Sequence, residues 1–463
     1  EVVVYDLEAD QYSVWTQNDY RESDPKLSPD GSMIAYIATV NETGDPYYED
    51  KVFVQRRGQA PKRVMADQAF EALDFAWDRA GTGLFILGNT GLRSDLYHYT
   101  SETGEVHQLS NGDHRLTDWV YDPDIDTHLA RFETSDSPGD FFFSSQNGAF
   151  ERLTDVYVEW AKNFKLPVQE AVQWSARDGS EIEGLLVFPI GYRDGQSYPL
   201  VTITHGGPRS SSQFGSWNMS RYVPVLAGQG YMVFLPNHRG GTGYGDAFMR
   251  DMYGGYFRNA HLDVMDGIDA LIDRGLAHPD RLIKTGWSAG GHMVNKLITY
   301  TDRFKAASSG AGAADWRSMH GESDVRHSRA FMFGGSPWDK DAPLARYEAD
   351  SPINEAWKVV TPTLFFSGAN DERVPPTQSI LMHRAVIAAG AQSSFYLMPG
   401  EPHGFGKPAN QLFKINTDLA WFARYALDQT YDPVLPREAF EFDQEHDADR
   451  PESQGAQSQA TEQ

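Results

Sequence analysis

The stretch RLIKTGWSAGGHMVNKLITY, residues 281–300, decides the fold of this chain. RLIKTGW has the character of a strand, and GGHMVNKLITY has that of a helix. Between them, Gly286-Trp287-Ser288-Ala289-Gly290 forms the pattern G-x-S-x-G. A serine on such a strand-to-helix turn is exposed, and the helix N-terminus directs free N–H groups towards a developing oxyanion. We therefore predict that Ser288 is a nucleophile.

Strands and helices alternate on both sides of this stretch, from about Glu159 to about residue 430. Apolar strands that alternate with helices predict a mostly parallel sheet with helices on both faces. With the serine turn, this pattern predicts an α/β-hydrolase fold for residues 158–430. The clearest elements are strands in YPLVTITHGG, YMVFLPNHRG, FKAASSG, TPTLFFSG and SSFYLMPG, and helices near 261–275, 290–301, 378–389 and 411–427.

A glycine-rich turn, His205-Gly206-Gly207-Pro208, follows the strand YPLVTIT. In folds of this kind an HGG-type loop supplies one of two oxyanion donors. Glycine suits the position because the backbone itself must approach the substrate oxygen. The Gly207 and Ala289 N–H groups are the candidate donors, and a plain Gly-Pro turn is the alternative interpretation.

The nucleophile requires a base and an acid, which in this fold follow it in the order Ser, Asp or Glu, His. Asp371 follows the strand TPTLFFSGAN, and His403 follows the strand SSFYLMPGEP. The carboxyl ends of parallel strands share one edge of the sheet, so both residues are expected beside Ser288. Asp315 is the rival acid. The rival bases are less suitable because His292 is too close in sequence, and His320 and His327 precede the acid. Asp263, Asp266 and Asp269 resemble metal ligands, but their spacing of three on a predicted helix favours a solvated helix face.

The first 157 residues carry weak repeats of a turn followed by an alternating strand, starting at Ser28, Trp77 and Tyr121. A second weak repeat places Val64, Leu109 and Leu153 about 45 residues apart, which is the period of propeller blades. Residues 1–157 are therefore predicted to form a partial β-propeller of about three blades; an irregular β-sandwich is the alternative. Because an open arc leaves unpaired edges, we expect further blades N-terminal to the chain.

Composition narrows the classes of partner. With 40 Lys and Arg against 65 Asp and Glu, the net charge is −25, which disfavours nucleic acid and anionic membranes. No run approaches the ~20 apolar residues of a membrane span. Cysteine is absent, so thiol catalysis and disulfides are excluded. A protein without cysteine suits either redox setting, so a cytoplasmic, periplasmic or secreted location stays open. A homo-oligomer also stays open. Residues 431–463 are acidic and aperiodic, which predicts a disordered tail.

Six motifs together resemble the prolyl oligopeptidase family of serine peptidases, with the greatest similarity to its acylaminoacyl-peptidase-like branch. They cover most of residues 160–428, and the N-terminal repeats agree with the propeller of that family. The motifs are GWSAGG, HGGP, NHRGGTGYGD, TDRFKAASSGAGAADW, GANDERVPPTQS and PGEPHGF.

The resemblance implies a triad of Ser288, Asp371 and His403, with Gly207 and Ala289 at the oxyanion positions. Arg373 matches an arginine that holds a substrate carbonyl in some members. Trp316 matches an aromatic wall of the specificity pocket. Where some branches place an oxyanion tyrosine this chain has His205, so a backbone N–H must serve. Dipeptidyl-peptidase members bind the substrate amino group through glutamates of propeller segments. We expect those segments to lie outside this sequence, so endopeptidase and exopeptidase action both stay open.

These observations predict a serine peptidase that hydrolyses short peptides by acyl transfer and needs no metal or organic cofactor. Oligopeptidase, aminopeptidase and acylaminoacyl-peptidase activities are all compatible with the site. One rival is a carboxylesterase with the same triad, against which the propeller-like repeats argue. Another is a non-catalytic binding protein built on the propeller, against which the ordered Ser, Asp and His argue.

Overall fold

The computed structural model of the protein describes residues 1–145, 148–215 and 222–433. The N-terminal part is built of antiparallel strands, and the C-terminal part is a mixed sheet covered by helices. The N-terminal strands are β1 (Val3–Asp6), β2 (Gln11–Val14), β3 (Glu22–Leu27), β4 (Met33–Val40), β5 (Pro46–Arg56), β6 (Lys62–Arg63), β7 (Glu71–Trp77), β8 (Gly83–Asn89), β9 (Ser94–Thr100), β10 (Val106–Gln108), β11 (His114–Asp122), β12 (Thr127–Thr134), β13 (Asp140–Ser145) and β14 (Glu151–Arg152).

Three four-stranded antiparallel units follow the β1–β2 hairpin: β3–β6, β7–β10 and β11–β14. The second and third units meet through one parallel pair, Ser94 with Arg115. Val64, Leu109 and Leu153 each come directly after the short fourth strand of a unit, which is why they recur at the blade period. The expected propeller-like architecture is thus confirmed for this part of the chain. The predicted domain boundary at 157/158 falls between β14 and the first helix.

The C-terminal sheet has the order β15-β16-β18-β17-β19-β20-β21-β22. Only the pairs of β16 with β15 and β18 are antiparallel, and the other neighbours are parallel. This confirms the predicted α/β-hydrolase fold. The strands are β15 (Gln169–Ser175), β16 (Glu181–Val187), β17 (Tyr198–Thr204), β18 (Met232–Asn237), β19 (Ala277–Trp287), β20 (Phe304–Gly310), β21 (Thr363–Gly368) and β22 (Ser393–Met398).

Helices cover both faces of this sheet. Alternate residues of its central strands belong to different cores: Leu200 and Leu282 lie on one face, and Val201 and Ile283 on the other. Burial on both faces explains why these strands are apolar throughout. The helices are α1 (Val158–Asn163), α2 (Val223–Gly228), α3 (Asp246–Met249), α4 (Ala260–Asp273), α5 (Ala289–Tyr300), α6 (Trp316–Glu322), α7 (Arg326–Phe333), α8 (Leu344–Ala349), α9 (Pro376–Ala388) and α10 (Pro408–Phe422), with short 3-10 turns at Arg250–Met252 and Pro352–Lys358 and a π-turn at Ala423–Leu427.

The N-terminal strands contact α3 and the loop before it through charged side chains. Arg63 of β6 makes a two-pronged ion pair with Asp246, at 2.8 and 3.0 Å. The buried carboxylate of Glu49 accepts hydrogen bonds from the N–H groups of Gly243 and Gly245, at 2.7 and 3.1 Å. The loop NHRGGTGYGD, which the resemblance singled out, is therefore part of the contact between the two halves.

Two further findings concern the sequence-based expectations. Within the described residues, no helix combines the length and the apolar character that are needed to cross a bilayer. The tail predicted for residues 431–463 lies, from residue 434 onward, outside the described residues.

Candidate active site

Ser288 lies between β19 and α5 in a backbone conformation that few side chains adopt, with φ 61° and ψ −121°. The turn closes only because its neighbours are glycines. A Cβ on Gly290 would lie 2.2 Å from the Thr204 carbonyl oxygen, and one on Gly286 would lie 2.5 Å from the Gly290 oxygen. The G-x-S-x-G pattern thus permits the close approach of the turn to β17 and presents the serine hydroxyl at the sheet edge.

Ser288, His403 and Asp371 form a continuous hydrogen-bonded chain. The His403 Nε2 atom lies 2.9 Å from Ser288 Oγ, and the Nδ1 atom lies 2.8 Å from Asp371 Oδ2. The Asp371 side chain is fully buried, and its Oδ1 atom accepts the N–H groups of Arg373 and Val374 at 2.9 Å each. Asp371 is thereby held as an acceptor beside the imidazole, in the geometry of a nucleophile, a base and an orienting acid.

The loop that carries His403 is braced from two sides. The Trp287 indole N–H, from the residue before the nucleophile, donates to the His403 carbonyl oxygen at 2.7 Å. The buried Glu401 carboxylate accepts the Gly406 N–H at 2.8 Å and a hydrogen bond from the Asn410 side chain. Because Trp287 is covalently next to Ser288, the first brace ties the position of the imidazole to that of the hydroxyl.

The two candidate oxyanion donors come from different elements, the start of α5 and the loop after β17. As the first residue of α5, Ala289 has an N–H without an acceptor inside the helix. Gly207 follows β17 with φ 126°, and a Cβ there would lie 2.7 Å from the Arg209 nitrogen, so only glycine fits. Arg209, which sequence reasoning did not select, pairs with Asp50 and Glu71 of the N-terminal sheets at 2.8 and 3.0 Å. Its position directly after HGGP was the available signal.

A cavity of about 350 Å³ opens at Ser288. Six of the seven site residues predicted from the sequence line it, and the seventh, Asp371, lies behind His403. The lining comprises Gly207, Tyr256, Trp287, Ser288, Ala289, His292, Ala313, Trp316, Met319, Val325, Arg329, Arg373, Val374 and His403.

Trp316 and Arg373 differ in how firmly they are held. The Trp316 ring is buried and packs against Tyr256, with ring centroids 4.3 Å apart. Arg373 is half-exposed and makes a two-pronged ion pair with Asp324, at 2.7 and 3.0 Å. The hydrogen bond to Asp324 raises the pKa of Arg373 above its usual value. Asp324, and not the adjacent Glu372, is thus its partner.

The rival acid and base have other roles in the structure. Asp315 caps α6, accepting the N–H groups of Arg317 and Ser318. His292 is fully buried, its Nδ1 atom lies 3.0 Å from the Ala313 oxygen, and burial lowers its pKa to about 3. His292 therefore stays neutral and contributes to the wall of the cavity.

The aspartates of α4 correct one expectation. The solvated helix face expected for them is wrong for Asp263, which is completely buried and is paired with Arg239. Asp266 and Asp269 pair with arginines of neighbouring segments. The helix faces the loop that follows β18, so its first aspartate is enclosed by the fold. Among the described residues, no group of three or more potential ligands is arranged for a metal.

Together, the sheet order, the serine turn and the Ser-His-Asp arrangement define the α/β-hydrolase class. Residues 217–429 match the prolyl oligopeptidase family, the family that the six sequence motifs resemble.

Known proteins similar to this chain carry peptidase names. An uncharacterized peptidase of Bacillus subtilis, YuxL, is 27% identical over 353 residues, which cover 75% of this chain and 53% of that protein. Dipeptidyl-peptidase 5 of Porphyromonas gingivalis is 27% identical over 415 residues, covering 87% and 59%. An acylaminoacyl peptidase solved in complex with Z-Gly-Gly-Phe-chloromethyl ketone superposes with a TM-score of 0.75 at 22% identity, covering 89% and 64%. The chain thus spans between half and two thirds of each of these proteins.

Proposed function

We propose that the protein is a serine peptidase that cleaves short peptides by acyl transfer to Ser288. The observation that carries the proposal is the hydrogen-bonded chain from Ser288 Oγ through His403 to the buried Asp371 carboxylate. Binding alone requires no such chain, so this geometry argues against a purely non-catalytic role for the fold.

In the proposed mechanism, His403 accepts the proton of Ser288 as the hydroxyl oxygen attacks the substrate carbonyl carbon. The oxyanion of the tetrahedral intermediate accepts hydrogen bonds from the Gly207 and Ala289 N–H groups. His403 then donates its proton to the departing amine, and the acyl group stays on Ser288. Water then attacks the acyl carbon while His403 accepts its proton. His403 returns this proton to the Ser288 oxygen as the acyl bond breaks, which releases the acid and restores the serine. Asp371 holds the imidazole orientation and stabilises its cationic form.

The cavity at Ser288 favours a bulky apolar side chain at the scissile bond. Its walls include Tyr256, Trp316, Met319, Val325 and Val374. Apolar and aromatic walls favour ligand groups that lose unfavourable hydration on entry. The acylaminoacyl peptidase of similar fold was solved with a chloromethyl ketone that contains phenylalanine, a group of suitable chemistry for such a cavity.

A carboxylesterase with the same triad is the second candidate. Its triad chemistry is identical, so the choice between the two depends on residues that contact the rest of the substrate. The N-terminal sheets favour the peptidase, because Asp50 and Glu71 hold Arg209 beside the catalytic edge and thereby place these sheets next to the HGGP loop. A wall of that kind would limit access to short peptides.

The test is active-site labelling with a fluorophosphonate on the full chain. We expect a single adduct on Ser288, absent in Ser288→Ala and strongly slowed in His403→Gln, because the base is then lost. Turnover of peptidyl amides should fall by roughly 10⁶-fold in Ser288→Ala. Labelling that persists in Ser288→Ala would contradict the assignment, as would wild-type protein that cleaves simple esters but no peptide.

A further inference from the structure

A second cavity, of about 600 Å³, adjoins the one at Ser288 and lies between the N-terminal sheets and α7. The two cavities share Gly207, Val325 and Arg329 in their walls. The N-terminal sheets contribute Tyr47 from β5. A peptide bound at Ser288 can therefore extend into a space whose walls come from both halves of the molecule.

Arg329, on α7, stands at the junction of these cavities. It is half-buried, its Nη2 atom donates to the Gly207 carbonyl oxygen at 3.3 Å, and its guanidinium lies 5.4 Å from the Tyr256 ring centroid. Across the described ranges no carboxylate forms an ion pair with Arg329, whereas Arg209 and Arg373 each have one or two. Arg329 is thus a cation at the site whose charge is not neutralised by these residues.

Tyr47 supplies a second donor in the same space. Its hydroxyl is buried and has no hydrogen-bond partner within the described residues, although a phenol normally finds one when it is buried. Its backbone has φ 69°, and its carbonyl oxygen accepts from Arg250 at 3.1 Å, so the backbone that carries the ring is tied to the C-terminal half. Burial raises the pKa of Tyr47, and this effect outweighs the opposing effect of the nearby Arg329 cation. The hydroxyl therefore keeps its proton.

We propose that Arg329 and Tyr47 form a recognition site for a carboxylate group of the peptide substrate. The proposal rests on the peptidase function proposed above and specifies the substrate further. A cation and a hydroxyl without a partner among the described residues can both donate hydrogen bonds to one negatively charged group, which suits a carboxylate. Pro46, Phe331 and Met332 add apolar walls to the second cavity. Arg209, the other cation in its lining, is already paired with Asp50 and Glu71, so a single negative group is the expected charge.

The position of Arg329 connects this recognition to catalysis. Its hydrogen bond to the Gly207 oxygen holds the cation against the loop that contains Gly207, a candidate oxyanion donor. A substrate that binds Arg329 would be oriented against that loop, so its carboxylate would contribute to positioning the scissile bond as well as to affinity.

The experiment measures peptide binding to full-length Ser288→Ala protein by calorimetry, which does not depend on turnover. Three matched peptide pairs locate the carboxylate: a free C-terminus against its amide, a glutamate against a glutamine side chain, and an N-terminal succinyl against a butyryl cap. At least one carboxylate member should bind about 10- to 100-fold more tightly than its neutral partner, the range of a charged hydrogen bond.

Adding Arg329→Gln should remove that ratio, and adding Tyr47→Phe should reduce it. Arg326→Gln is the matched control, because Arg326 is an exposed arginine on the same helix and the same charge is lost. Equal affinities within all three pairs would overturn the proposal, as would a ratio that survives Arg329→Gln. Fluorophosphonate labelling of the wild type reports separately on the proposed function, so a failed carboxylate preference with intact labelling refutes this inference alone.

Discussion

At the scale of single residues, the site depends on positions where one side chain cannot replace another. Ser288 adopts its left-handed φ because the turn is closed by glycines on both sides, and α5 then approaches β17 and β20 at backbone contact. A Cβ on Gly291 would lie 2.2 Å from the Gly310 oxygen, too close for any side chain. These constraints are local in sequence, and they explain why a short motif is informative about a whole fold.

The closeness of this contact can be tested with Gly290→Ala. Its Cβ would lie 2.2 Å from the Thr204 oxygen, so β17 or α5 must shift, and we expect a loss of about 1–3 kcal/mol or more in the free energy of unfolding. Gly228→Ala is the control, since nothing lies within 4 Å of a Cβ there and the residue ends helix α2. Urea denaturation measures both; an unaffected Gly290→Ala protein would contradict the packing described.

The predicted role of Arg373 is to distinguish peptide from ester substrates. If it holds a substrate carbonyl as the resemblance implies, Arg373→Ala should lower kcat/KM for peptidyl amides by about 10- to 100-fold and leave small acyl esters nearly unchanged. Its ion pair with Asp324 offers another role, that of a loop support. Asp324→Ala distinguishes the two: equal losses in both variants, on amides and esters alike, would mean that the pair only stabilises the loop.

At the scale of elements, loops after strands carry the site and connect the two halves of the molecule. The loop after β17 contains Gly207 and, two residues later, Arg209, whose partners Asp50 and Glu71 belong to β5 and β7. Loops at the carboxyl end of a sheet are the usual location of function in α/β proteins. Here one such loop is held by strands that lie outside the catalytic sheet.

Arg209 should therefore act as a positioning residue. In Arg209→Gln the loop loses its two ion pairs, and we expect kcat on peptidyl amides to fall by about 10- to 100-fold with a smaller change in KM, because Gly207 is displaced from the oxyanion. Arg177→Gln, which breaks a surface ion pair with Asp266, is the control. If the Arg209 variant lost stability but kept kcat, the role of Arg209 would be purely structural.

At the scale of the whole molecule, buried histidines make stability dependent on pH. Burial lowers the pKa of His128, His238 and His261 to about 4, and that of His292 to about 3. In the unfolded chain a histidine has a pKa of about 6.5, so between pH 6.5 and 4 the unfolded chain binds protons that the folded protein does not. The folded state is therefore favoured above pH 6.5 and loses this stabilisation as the pH falls.

The free energy of unfolding should decrease below pH 6.5, by up to about 1.4 kcal/mol per pH unit for each such histidine. Urea midpoints at pH 7 and pH 5 measure the decrease, and His238→Gln should make it shallower. His107→Gln changes an exposed histidine of β10 and should leave the slope unaltered. A midpoint that is constant or higher at pH 5 would show that the buried histidines do not control acid stability.

The sequence by itself determined the fold class and predicted the candidate site residues. The alternation of buried strands and helices and the constrained turn at Ser288 are encoded over short distances. The order of Asp371 and His403 follows from strand topology, since successive parallel strands end at one edge. Their catalytic role, and that of the two oxyanion donors, stays a prediction that labelling and kinetics can test.

Only the tertiary structure decided which charged and polar groups meet. Asp263 was predicted to be solvated and is buried, because its surroundings come from a loop that precedes it by more than one element. Arg373 finds Asp324, and Tyr47 and Arg329 line one cavity although the chain separates them widely. The physical reason is that backbone conformation follows local preferences, whereas the environment of a side chain depends on how distant segments pack.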